Sequence, residues 1–417
     1  MELRPGYKQT EMGVIPEEWE VHRGLEITEL ISKGASPRWQ GFDYADHGML
    51  FVTSENVRDG YLDISDPKFL PLAFHEKLSR TQLREGDILV NLVGASIGRS
   101  CRIKQPIGTA NVNQAVAVFR LRNVRSAPFV GYFFQAPTTI KRILDMQADA
   151  ARPNISLGNL RHFSIPLPPL REQHTIAEAL GDVDTLLSAL IQLIAKKRDL
   201  KHAAMQQLLT GQTRLPGFSG KWEEQRLGRI GSFSKGKGIR KDEVVAHGFP
   251  CVRYGEIYTH HNDYVRDFLS FILPQVAKQS QRLRKGDLLF AGSGETAEEI
   301  GKCVAFLDDT EAYAGGDIVI LSPTGHNAMY LGYLMNHASI AEQKARMGQG
   351  DAVVHISARH LAQLNVRLPE ESEQTAISAV LSDMDAELAA LEQRLAKTRA
   401  LKQGMMQELL TGRTRLV

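Results

Sequence analysis

Two stretches of the chain carry apolar residues in alternating steps of four and three. In the first, Ile176, Leu180, Val183, Leu187, Leu190 and Ile194 run on, at the same steps, through Lys197, Lys201, Ala204 and Leu208. In the second, Ile377, Leu381, Met384, Leu388, Leu391 and Leu395 run on through Thr398, Lys402, Met405 and Leu409. A mean step of about 3.5 puts each series on one narrow stripe of a long helix, the pattern of a coiled-coil seam. Pro166, Pro168 and Pro169 keep the first helix from starting earlier, because proline lacks the amide donor and clashes with the preceding turn. Gly211 and Gly412 follow the last apolar positions, where a left-handed cap favours glycine. Each helix is expected to span roughly 40 residues, or about 60 Å at 1.5 Å per residue. Lys197, Lys201 and Lys402 would weaken the seam, at its exposed rim or where another protein packs.

Outside the helices the pattern shortens. "DILVNLV" (87–93), "AVAVFRL" (115–121), "DLLFAG" (287–292) and "DIVILS" (317–322) read as buried strands between glycine-containing turns. A shorter helix is expected over 128–144 and again over 327–347. The fold class is α/β, or α+β, with strand order left open.

The chain repeats itself. "MQQLLTGQTRL" (205–215) returns as "MQELLTGRTRL" (406–416), and 155–215 aligns without a gap on 356–416. Upstream the two halves share only a frame: "LREGDILV" (83–90) beside "LRKGDLLF" (283–290), and a Trp19 beside a Trp222. A repeat of this length defines the architecture. It divides the chain into a variable domain (1–169), a helix (170–211), a second variable domain (212–369) and a second helix (370–417). The narrow, equal seams predict that the two helices pack on each other. The similar openings of the two halves predict that the chain termini lie near one another.

Composition narrows the classes without choosing one. A net charge of +2 does not mark a nucleic-acid binder, so any DNA surface must come from local clusters such as "RSCRIK" (99–104) or "SKGKGIRK" (234–241). No apolar run reaches the length of a membrane span, and the opening residues lack the apolar segment of a secretory signal, so a cytoplasmic location is expected. Cys101, Cys251 and Cys303 lie far apart and read as buried thiols. His260-His261 and the His355/His360 pair fit no familiar ligand spacing, so no metal site is expected.

Two unlike domains, each followed by the same long helix, resemble the specificity subunit of type I restriction–modification systems. The resemblance rests on the paired "QQLLTG"/"QELLTG" helix ends, the "IPLPPLREQ" and "VRLPEESEQ" helix entries, the "GDIL"/"GDLL" strands, and the runs "ISKGASPR" and "PCVRYGEIYT". It covers essentially the whole chain. It implies two target-recognition domains, each reading one half of a bipartite double-stranded DNA sequence. These would be separated and joined by two antiparallel coiled-coil helices in a pseudo-two-fold arrangement. It further implies docking of two modification (methyltransferase) subunits and of restriction/translocase subunits. S-adenosylmethionine, ATP and Mg²⁺ would be used by those partners and no cofactor by this chain.

Two other classes stand beside this one. "GDLLFAGSGETAEEIG" (286–301) reads as strand, glycine-rich turn and helix, which could hold S-adenosylmethionine for a DNA adenine methyltransferase. Against it, the chain has no Asn/Asp-Pro-Pro-aromatic tetrapeptide to hold a flipped adenine. A coiled-coil adaptor that binds no DNA would not need two unlike heads. "GSFSKGKG" (231–238) nearly fits a phosphate loop, but Gly238 stands where the Mg²⁺-binding hydroxyl belongs, so a loop contacting DNA phosphates is the better reading.

Polar and basic residues near glycine or proline are the candidates for DNA contact. In the first domain they are Lys33, Arg38, Trp39, Asn56, Arg58, Arg99, Asn111, Asn113 and Gln114. Trp39 is included although tryptophans are usually packed. In the second domain they are Lys235, Lys237, Arg240, Arg253, Tyr254, Tyr258, Glu295 and Lys302.

Overall fold

Strands with apolar side chains on both faces need cover on both faces, and this requirement organises the molecule. In the computed structural model, which describes residues 5–146, 154–350 and 353–416, the strand Ile88–Asn91 is buried along its whole length. Side chains alternate across a strand. Ile88 and Val90 therefore pack with Phe129 and Phe133 of the helix Ala127–Gln135, while Leu89 packs with Val52 and Val112 of a second sheet. The strand Leu288–Ala291 divides its side chains in the same way, with Leu288 and Phe290 toward Tyr330 and Leu334, and Leu289 and Ala291 toward Val252 and Ala314.

The chain forms two units, one made of 1–191 and 393–417, the other of 192–392. The division falls inside both long helices, not at their ends. Each unit holds a four-stranded antiparallel sheet. In the first unit the order is Thr28–Lys33, Val116–Leu121, Ile88–Asn91, Ser100–Arg102. In the second it is Gly231–Lys235, Ile318–Pro323, Leu288–Ala291, Cys303–Ala305. A second sheet contains one parallel pair, Met49–Val52 with Ala110–Val112 in the first unit and Phe249–Val252 with Tyr313–Ala314 in the second. A two-stranded ribbon leads into each long helix, Glu20–Arg23 with Ser164–Leu167 and Glu223–Arg226 with Asn365–Leu368.

The helices expected over 128–144 and 327–347 are each two. Ala127–Gln135 gives way to Pro137–Asp145 at Ala136, which is extended (ψ 134°) because the residue before proline avoids the helical region. Ala328–Asn336 gives way to Ala338–Met347 at His337, whose side chain accepts from the Ser339 amide and caps the second helix.

The long helices are Leu170–Leu208 and Glu371–Leu409, 39 residues each. Of the seam residues, Ile176, Leu180, Leu190, Ile194, Ile377, Leu381 and Leu388 are buried, and Val183, Leu187, Met384, Leu391 and Leu395 are half-buried. In the first unit, Ile176 and Leu180 share one core with Met406, Leu409 and Leu410. In the second, Leu208 and Leu209 share one with Ile377 and Leu381. The seam lysines are not a weak rim. Lys201 Nζ lies 2.7 Å from Asp385 Oδ1 and Lys402 Nζ lies 2.6 Å from Asp184 Oδ1. Each aspartate also accepts from a tyrosine hydroxyl, Tyr333 at 2.6 Å and Tyr132 at 2.8 Å. Lys197 pairs with Glu387 at 2.7 Å. Carboxylates just off the apolar stripe neutralise the lysines on it, which a reading of the stripe alone misses.

The expected nearness of the termini holds among the described residues: the Tyr7 hydroxyl donates to the Gly412 carbonyl at 3.0 Å, and Arg415 lies 2.7 Å from Glu18.

Candidate nucleic-acid interface

At one edge of the first unit four loops are tied by backbone hydrogen bonds. Gly34 N donates to Asn113 O (3.1 Å), Asn113 N to Val52 O (2.9 Å), Leu92 N to Ala115 O (2.8 Å) and Ile155 N to Leu92 O (2.9 Å). Lys33 and Gln114 are exposed at this edge, on the segments these bonds join. Arg58 and Arg99 line a 650 Å³ cleft between the loops, with Glu55, Asp63, Asp66 and Lys68. Arg58 reaches Asp63 only at 3.4 Å and Arg99 reaches Asp59 only at 3.6 Å. Long, partly exposed pairs of this kind contribute little to stability, so both guanidinium groups can exchange partners at small cost.

The loop that follows Lys33 carries Arg38 and Trp39 on the short turn Arg38–Gln40. Trp39 is 91% exposed, whereas Trp19 and Trp222 are buried. The loop is nonetheless fixed: the Phe42 ring meets Phe74 edge-on at 5.4 Å, and Lys77 Nζ donates to Gln40 O at 3.0 Å. Packing of one aromatic thus presents another to solvent.

The second unit repeats the construction. Gly236 N donates to Ile318 O (2.9 Å), Gly315 N to Val252 O (2.9 Å), Gly292 N to Asp317 O (2.7 Å) and Ile356 N to Gly292 O (2.9 Å). Lys235, Lys237, Arg240, Tyr254 and Glu295 are exposed, while Arg253 and Tyr258 are half-buried. Lys235 lines a 470 Å³ cleft with Ser293, Asp317, His355 and His360. Ile239 in this loop has φ 59° with its side chain buried. A β-branched residue pays for that conformation, and its packing among Cys251, Ile272 and Tyr313 holds the loop in place.

Four sequence candidates hydrogen-bond to other protein groups, Asn56 and Asn111 while buried and Asn113 and Lys302 while half-buried. Asn111 is fully buried and donates to Leu78 O (2.9 Å) and Thr81 Oγ1 (2.7 Å). Asn56 accepts from Thr53 N (2.8 Å) and donates to Asp63 O (2.9 Å). Asn113 accepts from Ala115 N (3.0 Å). Lys302 Nζ donates to His261 O (2.7 Å), and burial lowers its pKa. These side chains pair with groups that the loops would otherwise leave unpaired; the buried Asn56 and Asn111 thereby support the surface from within, whereas the half-buried Asn113 and Lys302 also keep an exposed face. The segment 286–301 is corrected. After the strands Leu288–Ala291 and Ser293–Gly294, residues 295–301 form bends and turns, so the helix N-terminus that a nucleotide cradle needs is not there.

Sequence reasoning missed a clamp behind each ribbon. Arg415 reaches Glu172 through Nε–Oε1 (2.5 Å) and Nη2–Oε2 (2.9 Å), and Trp19 Nε1 donates to the same carboxylate at 3.0 Å. Arg214, Glu373 and Trp222 repeat it at 2.5, 2.6 and 3.2 Å. The signal was present in the duplicated "TRL" and "EQ" and the paired tryptophans. Of the histidines discounted above, His260 and His261 converge with Asp267.

Residues 16–198 and 219–398 each match the family described as "Type I restriction modification DNA specificity domain". A Methanocaldococcus jannaschii protein bearing the name of the MjaX type I restriction enzyme specificity subunit is 23% identical, over 98% of this chain and 97% of its own. The EcoKI specificity subunit of Escherichia coli K12 is 22% identical over 70% of this chain and 65% of its own. Among solved structures, the type I restriction–modification S subunit from M. genitalium superposes with a TM-score of 0.59 at 16% identity, covering 98% of both chains. A chain from structural work on the assembly and conformational transition of the type I system gives 0.57 at 17% identity, over 96% of this chain and 99% of that one.

Proposed function

The chain belongs to the type I restriction–modification DNA specificity family and is the non-catalytic, DNA-recognising kind of subunit; from this premise we propose that each unit reads one half of a bipartite, asymmetric site. The carrying observation is the pair of loop clusters. Equivalent backbone bonds build both, yet they present different side chains: Lys33, Arg38, Trp39, Gln114, Arg58 and Arg99 in one, Lys235, Lys237, Arg240, Tyr254 and Glu295 in the other. Arginine and lysine suit guanine edges or phosphates, glutamine can bridge adenine, and glutamate can accept from cytosine.

The long helices act as the spacer. Ion pairs between them run in opposite senses along the two sequences, Lys197 with Glu387 and Lys201 with Asp385 in one unit, and Lys402 pairs with Asp184 in the other. This supports an antiparallel coiled coil. Near-identical helix ends would offer the same surface to two modification subunits, and Leu200 and Leu401 are exposed at equivalent positions. Restriction/translocase subunits would complete the assembly, with S-adenosylmethionine, ATP and Mg²⁺ bound by partners and none by this chain. No helix among the described residues is long and apolar enough to cross a membrane, and a DNA reader of this kind would work in the cytoplasm.

The test is a genome-wide map of adenine methylation with the gene present and deleted. Loss of one motif made of two half-sites at a fixed gap is expected. An unchanged map while a companion methyltransferase is expressed would refute the reading.

A further inference from the structure

The segment 260–267 connects the helix Tyr254–Thr259 to the strand Ser270–Ile272. It brings together two imidazoles and a carboxylate. His260 Nε2 lies 2.6 Å from Asp267 Oδ1, the His260 and His261 rings meet edge-on with centroids 4.9 Å apart, and one donor atom from each of the three residues lies within 4.8 Å of the others.

A histidine–aspartate ion pair would account for His260 and Asp267 alone. It does not account for His261, which is 3% exposed and whose Nε2 is buried with no hydrogen-bond partner among the described residues. A buried polar atom left unpaired is costly and calls for something to bind. The backbone holding these side chains is fixed. The amides of His260 and His261 both donate to Glu256 O (2.9 and 3.0 Å), Lys302 Nζ donates to His261 O (2.7 Å), and Ala305 N donates to Asp263 O (3.0 Å).

We propose that His260, His261 and Asp267 form a binding site for a divalent transition-metal ion of the zinc class. Two imidazoles and one carboxylate are the ligand types such an ion takes, with a further position left for water. Mg²⁺ and Ca²⁺ prefer sets made of oxygen alone. The ion would replace the His260–Asp267 hydrogen bond and cross-link the two ends of the segment. It would thereby brace the helix that presents Tyr254. Lys302 Nζ brings a positive charge to the His261 carbonyl, 2.7 Å away, and the carboxylate of Asp267 offsets it. The corresponding stretch of the first unit, 56–63, contains no histidine or cysteine, so the brace belongs to one unit only.

The test uses the full chain, stripped with EDTA and titrated with ZnCl₂ against a chromophoric chelator, and needs no DNA. One equivalent is expected to bind with micromolar or tighter affinity and to raise the melting temperature. His260→Gln and Asp267→Asn, both exposed and so tolerated by the fold, should each weaken binding at least tenfold, whereas His355→Gln should not. Absence of a saturable equivalent, or an equivalent that survives both substitutions undiminished, would overturn the proposal.

Discussion

Arg415 holds Glu172 through two hydrogen bonds across 243 residues of chain, and Glu172 is buried. The clamp joins the segment that follows the second long helix to the first turn of the first, within one unit. Removing the arginine would strand a buried carboxylate, which typically costs about 3–5 kcal/mol. Arg415→Ala should therefore shift the urea midpoint of the full chain strongly downward. Adding Glu172→Gln should recover part of the loss, because the two residues act as one unit. Equal, additive losses in a double-mutant cycle would contradict the clamp.

Trp39 predicts a separation between stability and binding. Being 91% exposed, it contributes little to the core, so Trp39→Ala should leave the melting temperature unchanged. If its ring stacks on a base, the assembled complex should lose about 1–3 kcal/mol of affinity for its site. Because Trp19 and Trp222 are buried, DNA should also quench a solvent-exposed component of the fluorescence that the variant lacks.

Arg99 lines the cleft, and its guanidinium pairs with Asp59 at 3.6 Å among the described residues. Arg99→Ala should weaken cognate binding by the complex by about 1–3 kcal/mol if it reads a base. Full affinity in a binding titration would remove it from the interface.

Four residues inserted before Leu208 would lengthen that helix by about 6 Å. The gap between the methylated half-sites should change with it, and a methylome with the original gap would sink the spacer role.

Lys344 predicts a pH dependence. It is 2% exposed, donates to Gly301 O at 2.6 Å, and burial pushes its pKa from 10.5 down to about 8. Between those values the unfolded chain holds the proton and the folded one has released it, so stability should rise as pH goes from about 8 to about 10.5. The equivalent residue in the first unit is Ile143, packed against Gly98 as Lys344 packs against Gly301. Lys344→Ile should abolish that rise, measured as urea midpoint against pH; a rise that persists would assign it to another group.

What could be read before the structure follows from local rules. The steps of four and three, the prolines at 166–169 and the glycines at 211 and 412 specified two 39-residue helices within a few residues, since each rule acts on neighbours in the chain. The four buried strands were legible for the same reason. The candidate site was legible as a set of loops but not as a set of contacts. Asn111 and Trp39 both looked like loop residues, and one is sealed behind Leu78 and Thr81 while the other stands in solvent.

The chain's own text thus determined its repeat, its helices and its family. Tertiary structure alone decided which polar side chains close the loops and which face outward, that Lys201 and Lys402 meet Asp385 and Asp184, and that His260, His261 and Asp267 converge. The physical reason is that periodicity records which face of an element is buried, whereas a polar group's role depends on its partner, and that partner is chosen by which distant segments the fold brings within about 3 Å.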